Sequence, residues 1–251
     1  MDVLFDSWAA TALIALLMGL TALLYASVGH AGASGYLAVM ALVGIAPAEM
    51  KPTALALNIV VSLIAVVQFY RASAFSWRIF LPLALTSIPF AYFGGYLSLP
   101  AHWYKPVVGI VLIYAAVYSH HRSSQIITTQ PKTATPLILS SVGAILGLLS
   151  GLTGVGGGIF LSPLLLRMNW AAVRVISGVA AMFILVNSIA GLLGVLSHQP
   201  KLSPNLPFWI FAVVIGGYIG AYLGSKKFNT VLIQRILSVV LLISGVKMIL
   251  M

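Results

Sequence analysis

Gly151-Leu-Thr-Gly-Val-Gly-Gly-Gly158 lies within a stretch, Leu137 to Leu166, that holds no Asp, Glu, Lys or Arg. That stretch exceeds the roughly 20 apolar residues an α-helix needs to cross the hydrocarbon of a bilayer. In lipid every backbone N–H and C=O must find a partner inside the protein, so a glycine-rich run at membrane depth is costly. It persists where protein or a water-lined cavity satisfies it, and interrupted helices of this kind carry the substrate sites of many transporters. A related figure stands earlier, Gly29-His-Ala-Gly-Ala-Ser-Gly35. Its glycines at 29, 32 and 35 match those at 151, 154 and 157, an offset of 122 residues in a chain of 251.

The composition places both figures in a membrane protein. Hydrophobic residues make up 61% of the chain and charged residues 6%, against about 25% charged in an average soluble domain. Uncharged runs at 7–30, 79–101, 175–197 and 202–225 are each long enough to span. The alternating ten-residue pattern of a membrane β-barrel is absent. A formal charge of +10 in a soluble chain would point to nucleic acid. Here the basic residues sit mainly in short connections, where orientation and lipid headgroups account for them. With no cysteine in the chain, disulfides, thiolate metal sites and iron–sulfur clusters are excluded. The histidines give no metal-ligand spacing, so neither metal nor cofactor is expected.

A second matching pair, Tyr92-Phe-Gly-Gly-Tyr-Leu97 and Tyr218-Ile-Gly-Ala-Tyr-Leu223, supports a duplication. The chain then reads as one integral membrane domain over 1–251. It comprises a first repeat at 1–119, a linker at 120–135 and a second repeat at 136–251. The apolar segments fall at 8–28, 36–47, 53–70, 79–98 and 105–119, then at 136–150, 157–168, 175–197, 206–224 and 230–250. Segments 36–47 and 157–168 are too short to span alone and read as half-helices completed by irregular backbone. If all ten segments cross, nine of the thirteen Lys and Arg fall on one side, as short cytoplasmic loops require. If the two short segments only dip in and return, that bias largely disappears. Five crossings per half invert the second half relative to the first, giving an all-α polytopic fold of two inverted repeats with interrupted helices. The expected location is a prokaryotic inner (plasma) membrane, crossed many times.

Glycine turns that open onto helix N-termini present unpaired N–H groups and partial positive charge, which suit a small anion. Candidate substrate contacts are Gly29, His30, Gly32, Ser34 and Gly35 from the first half, with Thr153, Gly154, Gly156, Gly157 and Gly158 from the second. Thr53, Asn58, Ser177 and Asn187 lie within apolar segments and offer further polar groups. The plainer readings are glycines that permit close helix packing and asparagines that bond between helices. His30 can carry a proton or serve as an interfacial hydrogen-bonding group. Lys51 and Arg174 precede corresponding segments, where snorkelling to the interface is simpler than attracting anions. Trp77, Trp103, Trp170 and Trp209 read as an interfacial belt.

These residues carry a family resemblance. The Gly-Leu-Thr-Gly-Val-Gly-Gly-Gly motif opening an apolar helix, its degenerate copy at Gly29–Gly35 and the repeated Tyr-x-Gly-x-Tyr-Leu resemble the TauE/SafE family of membrane transporters, also called the sulfite exporter or TSUP family. The resemblance covers essentially the whole chain and implies movement of sulfite, thiosulfate, sulfoacetate or related organosulfonates, with a proton or another ion for coupling. The expected partners are therefore a small anion, membrane lipids and a coupling ion, without nucleic acid; the oligomeric state is not legible.

Rival classes can be weighed on the same residues. Gly32-Ala-Ser34-Gly35 has the form used by a membrane serine protease, but such an enzyme needs a histidine on a neighbouring span. Beyond His30 every histidine falls in an expected loop, and Asp2, Asp6 and Glu49 lie at ends or turns. No enzyme is therefore expected. An anion channel and a non-transporting membrane scaffold compete with the secondary carrier, because hydropathy does not separate the three.

Overall fold

The computed structural model describes residues 8–121, 134–198, 202–226 and 231–250. Most of the expected linker therefore lies outside the described residues. The described residues form ten α-helices and no strand. The first half contains α1 Trp8–Ala26, α2 Ala33–Val43, α3 Pro47–Arg71, α4 Trp77–Tyr96 and α5 Ala101–His121. The second contains α6 Pro136–Thr153, α7 Gly158–Arg167, α8 Val173–Leu196, α9 Leu206–Lys226 and α10 Val231–Leu250. Among these, α3, α4, α6, α8 and α9 each carry an apolar window long enough to cross a bilayer.

Local chemistry sets the boundaries. Pro47 and Pro136 open α3 and α6, where a missing N–H is harmless because the first turn has no acceptor for it. Gly44 ends α2 with φ 81°, and α3 restarts at once. The expected segment 36–47 therefore shifts to Ala33–Val43, while the third segment starts at Pro47 rather than 53. In the second half α6 continues through Gly151 to Thr153 and closes on Gly154 at φ 80°. The break narrows to residues 154–157. At 11 and 10 residues, α2 and α7 rise about 16 and 15 Å, half the ~30 Å of hydrocarbon.

The packing exchanges partners between halves. Replacing each helix by its counterpart five places along turns the α4–α6 pair into α9–α1 and α4–α8 into α9–α3, while α3–α8 and α5–α10 map onto themselves. All of these pairs are packed. Small residues make the approaches close. Side chains at Gly143, Gly147 and Gly151 of α6 would strike the backbone of Leu83, Ser87 and Ala91 in α4. Those at Gly216, Gly220 and Gly224 of α9 would strike Gly19 and Leu23 in α1 and Ser27 just past its end. In each pair the contacts advance together, so the helices are parallel. Gly109 faces Ile249 while Gly245 faces Ile113, so α5 and α10 are antiparallel; a re-entrant α2 and α7 would set them parallel. Apolar side chains form two clusters, one joining α1, α2, α3, α5, α9 and α10 with Ile159 of α7 and Ala181 and Ile184 of α8, the other joining α4, α6, α7 and α8.

Two basic residues are held at helix ends, and one of them, Lys51, departs from the sequence expectation. Lys51 is 9% exposed, and its ammonium donates to the carbonyls of Gly94 at 3.0 Å, Gly95 at 2.9 Å and Leu97 at 3.0 Å. Arg174 donates likewise to the carbonyl of Ser225 in the last turn of α9. Both sit where terminal carbonyls have no intrahelical donor and the helix dipole is negative; Lys51 is buried there and does not snorkel, whereas Arg174 stays exposed. The tryptophans divide too. Trp77 and Trp103 are exposed, as a belt requires, but Trp170, in the connection from α7 to α8, and Trp209, on an inward face of α9, are buried in the apolar clusters.

Lys51→Met keeps an apolar stem but removes three charge-assisted bonds from the end of α4. It is expected to lower stability by about 3 kcal/mol, read from thermal unfolding in detergent, with Lys51→Arg retaining much of it. A snorkelling lysine would tolerate methionine at little cost.

Candidate functional site

The second break is built from three left-handed glycines, Gly154, Gly156 and Gly157. Thr153 steadies the turn: its hydroxyl donates to the Leu149 carbonyl at 2.7 Å and accepts the Val155 N–H at 3.3 Å. Tyr104 on α5 donates to the Thr153 carbonyl at 3.1 Å. Gly156 shows why no side chain fits. At φ 81° a Cβ there would lie 2.6 Å from Asn58 Nδ2 and 3.2 Å from Ser188 Oγ. Asn58 in turn donates to the Val155 carbonyl and to Ser188 Oγ, both at 3.4 Å. Helices α3 and α8 thus close on the break from either side. Gly157 caps α7, and because the carbonyl of Gly157 takes the N–H groups of Phe160 and Leu161, those of Gly158 and Ile159 begin the helix without intrahelical acceptors.

The first break meets it. Gly29 at φ 77° and Gly32 at φ 103° turn the chain from α1 into α2, with Gly32 as the N-cap. Tyr36 bridges the turn, donating to the Ala31 carbonyl at 2.6 Å. His30 Nε2 lies 3.2 Å from the Gly158 carbonyl and Nδ1 lies 3.2 Å from that of Val28. One imidazole therefore touches both interruptions. Two carbonyls face its two nitrogens, so both contacts are hydrogen bonds when the ring carries two protons and one when it is neutral. The N-terminal ends of α2 and α7 are brought together with their partial positive charges. Every residue from 29 to 41 and from 153 to 159 is buried, so the paired ends are enclosed by protein.

The fourteen sequence candidates divide by position. Gly29, His30, Gly32, Thr153, Gly154, Gly156, Gly157, Gly158 and Asn58 make up the two breaks and their junction. Asn187 stands one helical turn beyond Phe183, whose ring packs on Gly157; its Nδ2 donates to the Phe183 carbonyl at 2.7 Å. Ser177 packs against Gly29, and its hydroxyl donates to the Val173 carbonyl at 3.2 Å. The remaining three are turned to other tasks. Ser34 donates to the Tyr25 hydroxyl at 2.8 Å, Gly35 packs against Thr21, and Thr53 accepts the Ser203 N–H at 3.4 Å. Ser188, Ser150 and Phe183 belong to the second break although the motif does not name them. Only Ser188 has a sequence cue, its place beside Asn187 in an apolar segment.

The comparisons with known proteins agree with this architecture. The family model for sulfite exporter TauE/SafE matches residues 13–248. The chain belongs to the TauE/SafE family. A probable membrane transporter protein, y4hK of Sinorhizobium fredii, is 43% identical over 230 residues, covering 90% of this chain and 93% of that protein. Another probable membrane transporter protein, MJ0441 of Methanocaldococcus jannaschii, is 30% identical over 146 residues, covering 56% and 53% respectively. No solved structure matches. This TauE/SafE protein is accordingly a multi-pass membrane transporter of the plasma membrane.

His30→Ala removes the clasp between the breaks and is expected to reduce transport about tenfold or more, as loss of about 1.5 kcal/mol or more from a buried contact implies. Ser34→Ala removes only the bond to Tyr25 and is expected to lower stability by about 1 kcal/mol with substrate affinity unchanged. Paired measurements of flux and thermal unfolding distinguish the two.

Proposed function

We propose that this transporter is a secondary carrier for small anions, with sulfur oxyanions and organosulfonates such as sulfite, thiosulfate and sulfoacetate as its substrates. The observation that carries the reading is the meeting of two glycine-built helix N-termini, α2 and α7, at the His30–Gly158 contact. Such ends attract anions without a buried side-chain cation. Lys51 and Arg174, the basic residues near the starts of α3 and α8 in the two halves, bond to the ends of α4 and α9. The family name supplies the sulfur chemistry.

Alternating access between inverted halves is the mechanism we assign. Its support is the exchange of packed helix pairs between halves, with α3 and α8 packed at the centre and running antiparallel, since Leu55 faces Gly191 and Phe69 faces Gly178. Rocking one set of helices against the other around a fixed site is how inverted repeats expose it to either side. Enclosure of both breaks favours a carrier over an open channel, because a pore must keep a continuous wet path. The protease reading loses its nucleophile: the Ser34 hydroxyl donates to Tyr25 rather than to a general base.

In proteoliposomes a panel of sulfite, thiosulfate, sulfate, sulfoacetate and acetate is expected to show saturable flux of at least one sulfur-containing anion. Gly156→Val adds about 1–3 kcal/mol of backbone strain and thrusts a side chain at Asn58. It is expected to cut that flux about tenfold or more while the protein still inserts. Undiminished flux in this variant would remove the site, and no flux of any anion would remove the carrier.

A further inference from the structure

Two amide oxygens beside the second break have nothing to bond. Asn58 and Asn187 are 0% exposed, and the Oδ1 of each is buried with no hydrogen-bond partner. Their orientations are not arbitrary. Asn58 Nδ2 points at the Val155 carbonyl and Asn187 Nδ2 at the Phe183 carbonyl, so flipping either amide would set oxygen against oxygen. The oxygens are thereby fixed as acceptors in the interior, where an unsatisfied polar atom costs about 1–3 kcal/mol. Ser150 Oγ, at the last turn of α6, is likewise buried and unpartnered. A Cβ on Gly157 would lie 3.3 Å from Ser150 Cβ, 3.3 Å from the Leu146 carbonyl oxygen and 2.8 Å from the Phe183 ring. Gly156 and Gly157 thus lie against Asn58 and Ser150, and Phe183, which packs on Gly157, is followed one helical turn along α8 by Asn187.

Resting on the carrier reading, we infer that this cluster binds a sodium ion, held by Asn58 Oδ1, Asn187 Oδ1 and Ser150 Oγ and carried with the anion. Hard monovalent and divalent cations take oxygen ligands, and the C-terminal end of an interrupted helix turns its negative partial charge toward such an ion. Here α6 ends at Thr153 as α7 begins at Gly158. The same interruption therefore offers a cation-favouring end and an anion-favouring end side by side. The ligands carry no formal charge and do not titrate, which suits a metal ion rather than a proton. Neutral ligands also leave the ion readily exchangeable, as a coupling ion must be.

The test uses the purified, full-length transporter in detergent and in proteoliposomes. Thermal unfolding is measured in sodium, lithium, potassium and choline chloride at equal ionic strength, and anion affinity is measured in the same salts. The expected result is a saturable sodium-dependent rise in Tm and anion binding about tenfold tighter in sodium than in choline. Asn187→Ala, which frees the Phe183 carbonyl but removes the oxygen, should lose the sodium-dependent shift. If that variant fails to fold, the wild-type cation dependence decides alone. Anion flux that is identical in sodium and choline, with no cation-dependent Tm, overturns the inference while leaving the carrier intact, and means that buried water satisfies the oxygens. Cation-independent preference for anions bearing their own hydroxyl or amino donor overturns it too, assigning the oxygens to substrate. Absence of any anion flux is a failure of the carrier reading instead.

Discussion

The constraint on which this fold depends is that lipid supplies no hydrogen-bond partner to an interrupted helix. Two interruptions are present, and the protein satisfies each from within. The first is closed by Tyr36 and His30, the second by Thr153, Tyr104 and Asn58. His30 contributes to both at once. What remains without an intrahelical acceptor is the first turn of α2 and of α7, so the unspent donor capacity of the membrane interior is concentrated where the two halves meet. Function and fold here have the same physical origin.

The surrounding helices are packed closely around that junction. Glycine ridges let α6 lie on α4 and α9 on α1 at backbone contact, which in lipid replaces the hydrophobic driving force with packing. Lys51 and Arg174 then fasten the start of α3 to the end of α4 and the start of α8 to the end of α9. These equivalent cation–carbonyl clamps lie at the repeated Tyr-x-Gly-x-Tyr-Leu segments and beside them, which gives that repeat a structural meaning. Each clamp ties one of the two central helices to a helix that packs against the opposite half.

The glycine figure is legible in the sequence because its effect is local: a left-handed turn needs glycine wherever it occurs. The helical segments are legible from hydropathy, although Gly44 and Pro47 move the boundary between the second and third. Lys51 misleads a sequence reading because its clamp depends on carbonyls more than 40 residues away, which no local pattern announces. Trp170 and Trp209 mislead for the same reason, since burial depends on the neighbouring helix. The glycines at 143, 147 and 151 and at 216, 220 and 224 have visible spacing, yet their partners α4 and α1 do not. Ser34 and Thr53 stand near the site in sequence and are bonded to Tyr25 and to Ser203 in space.

The central claim is that the converging ends of α2 and α7 hold an anion. It is tested most directly by locating a heavy oxyanion: selenite, the heavier analogue of sulfite, placed in crystals by anomalous scattering. The account predicts a selenium peak between the 32–35 and 156–158 backbone segments, displaced by added sulfite. Selenium found only beside surface basic residues, with the paired breaks in direct van der Waals contact, would contradict it.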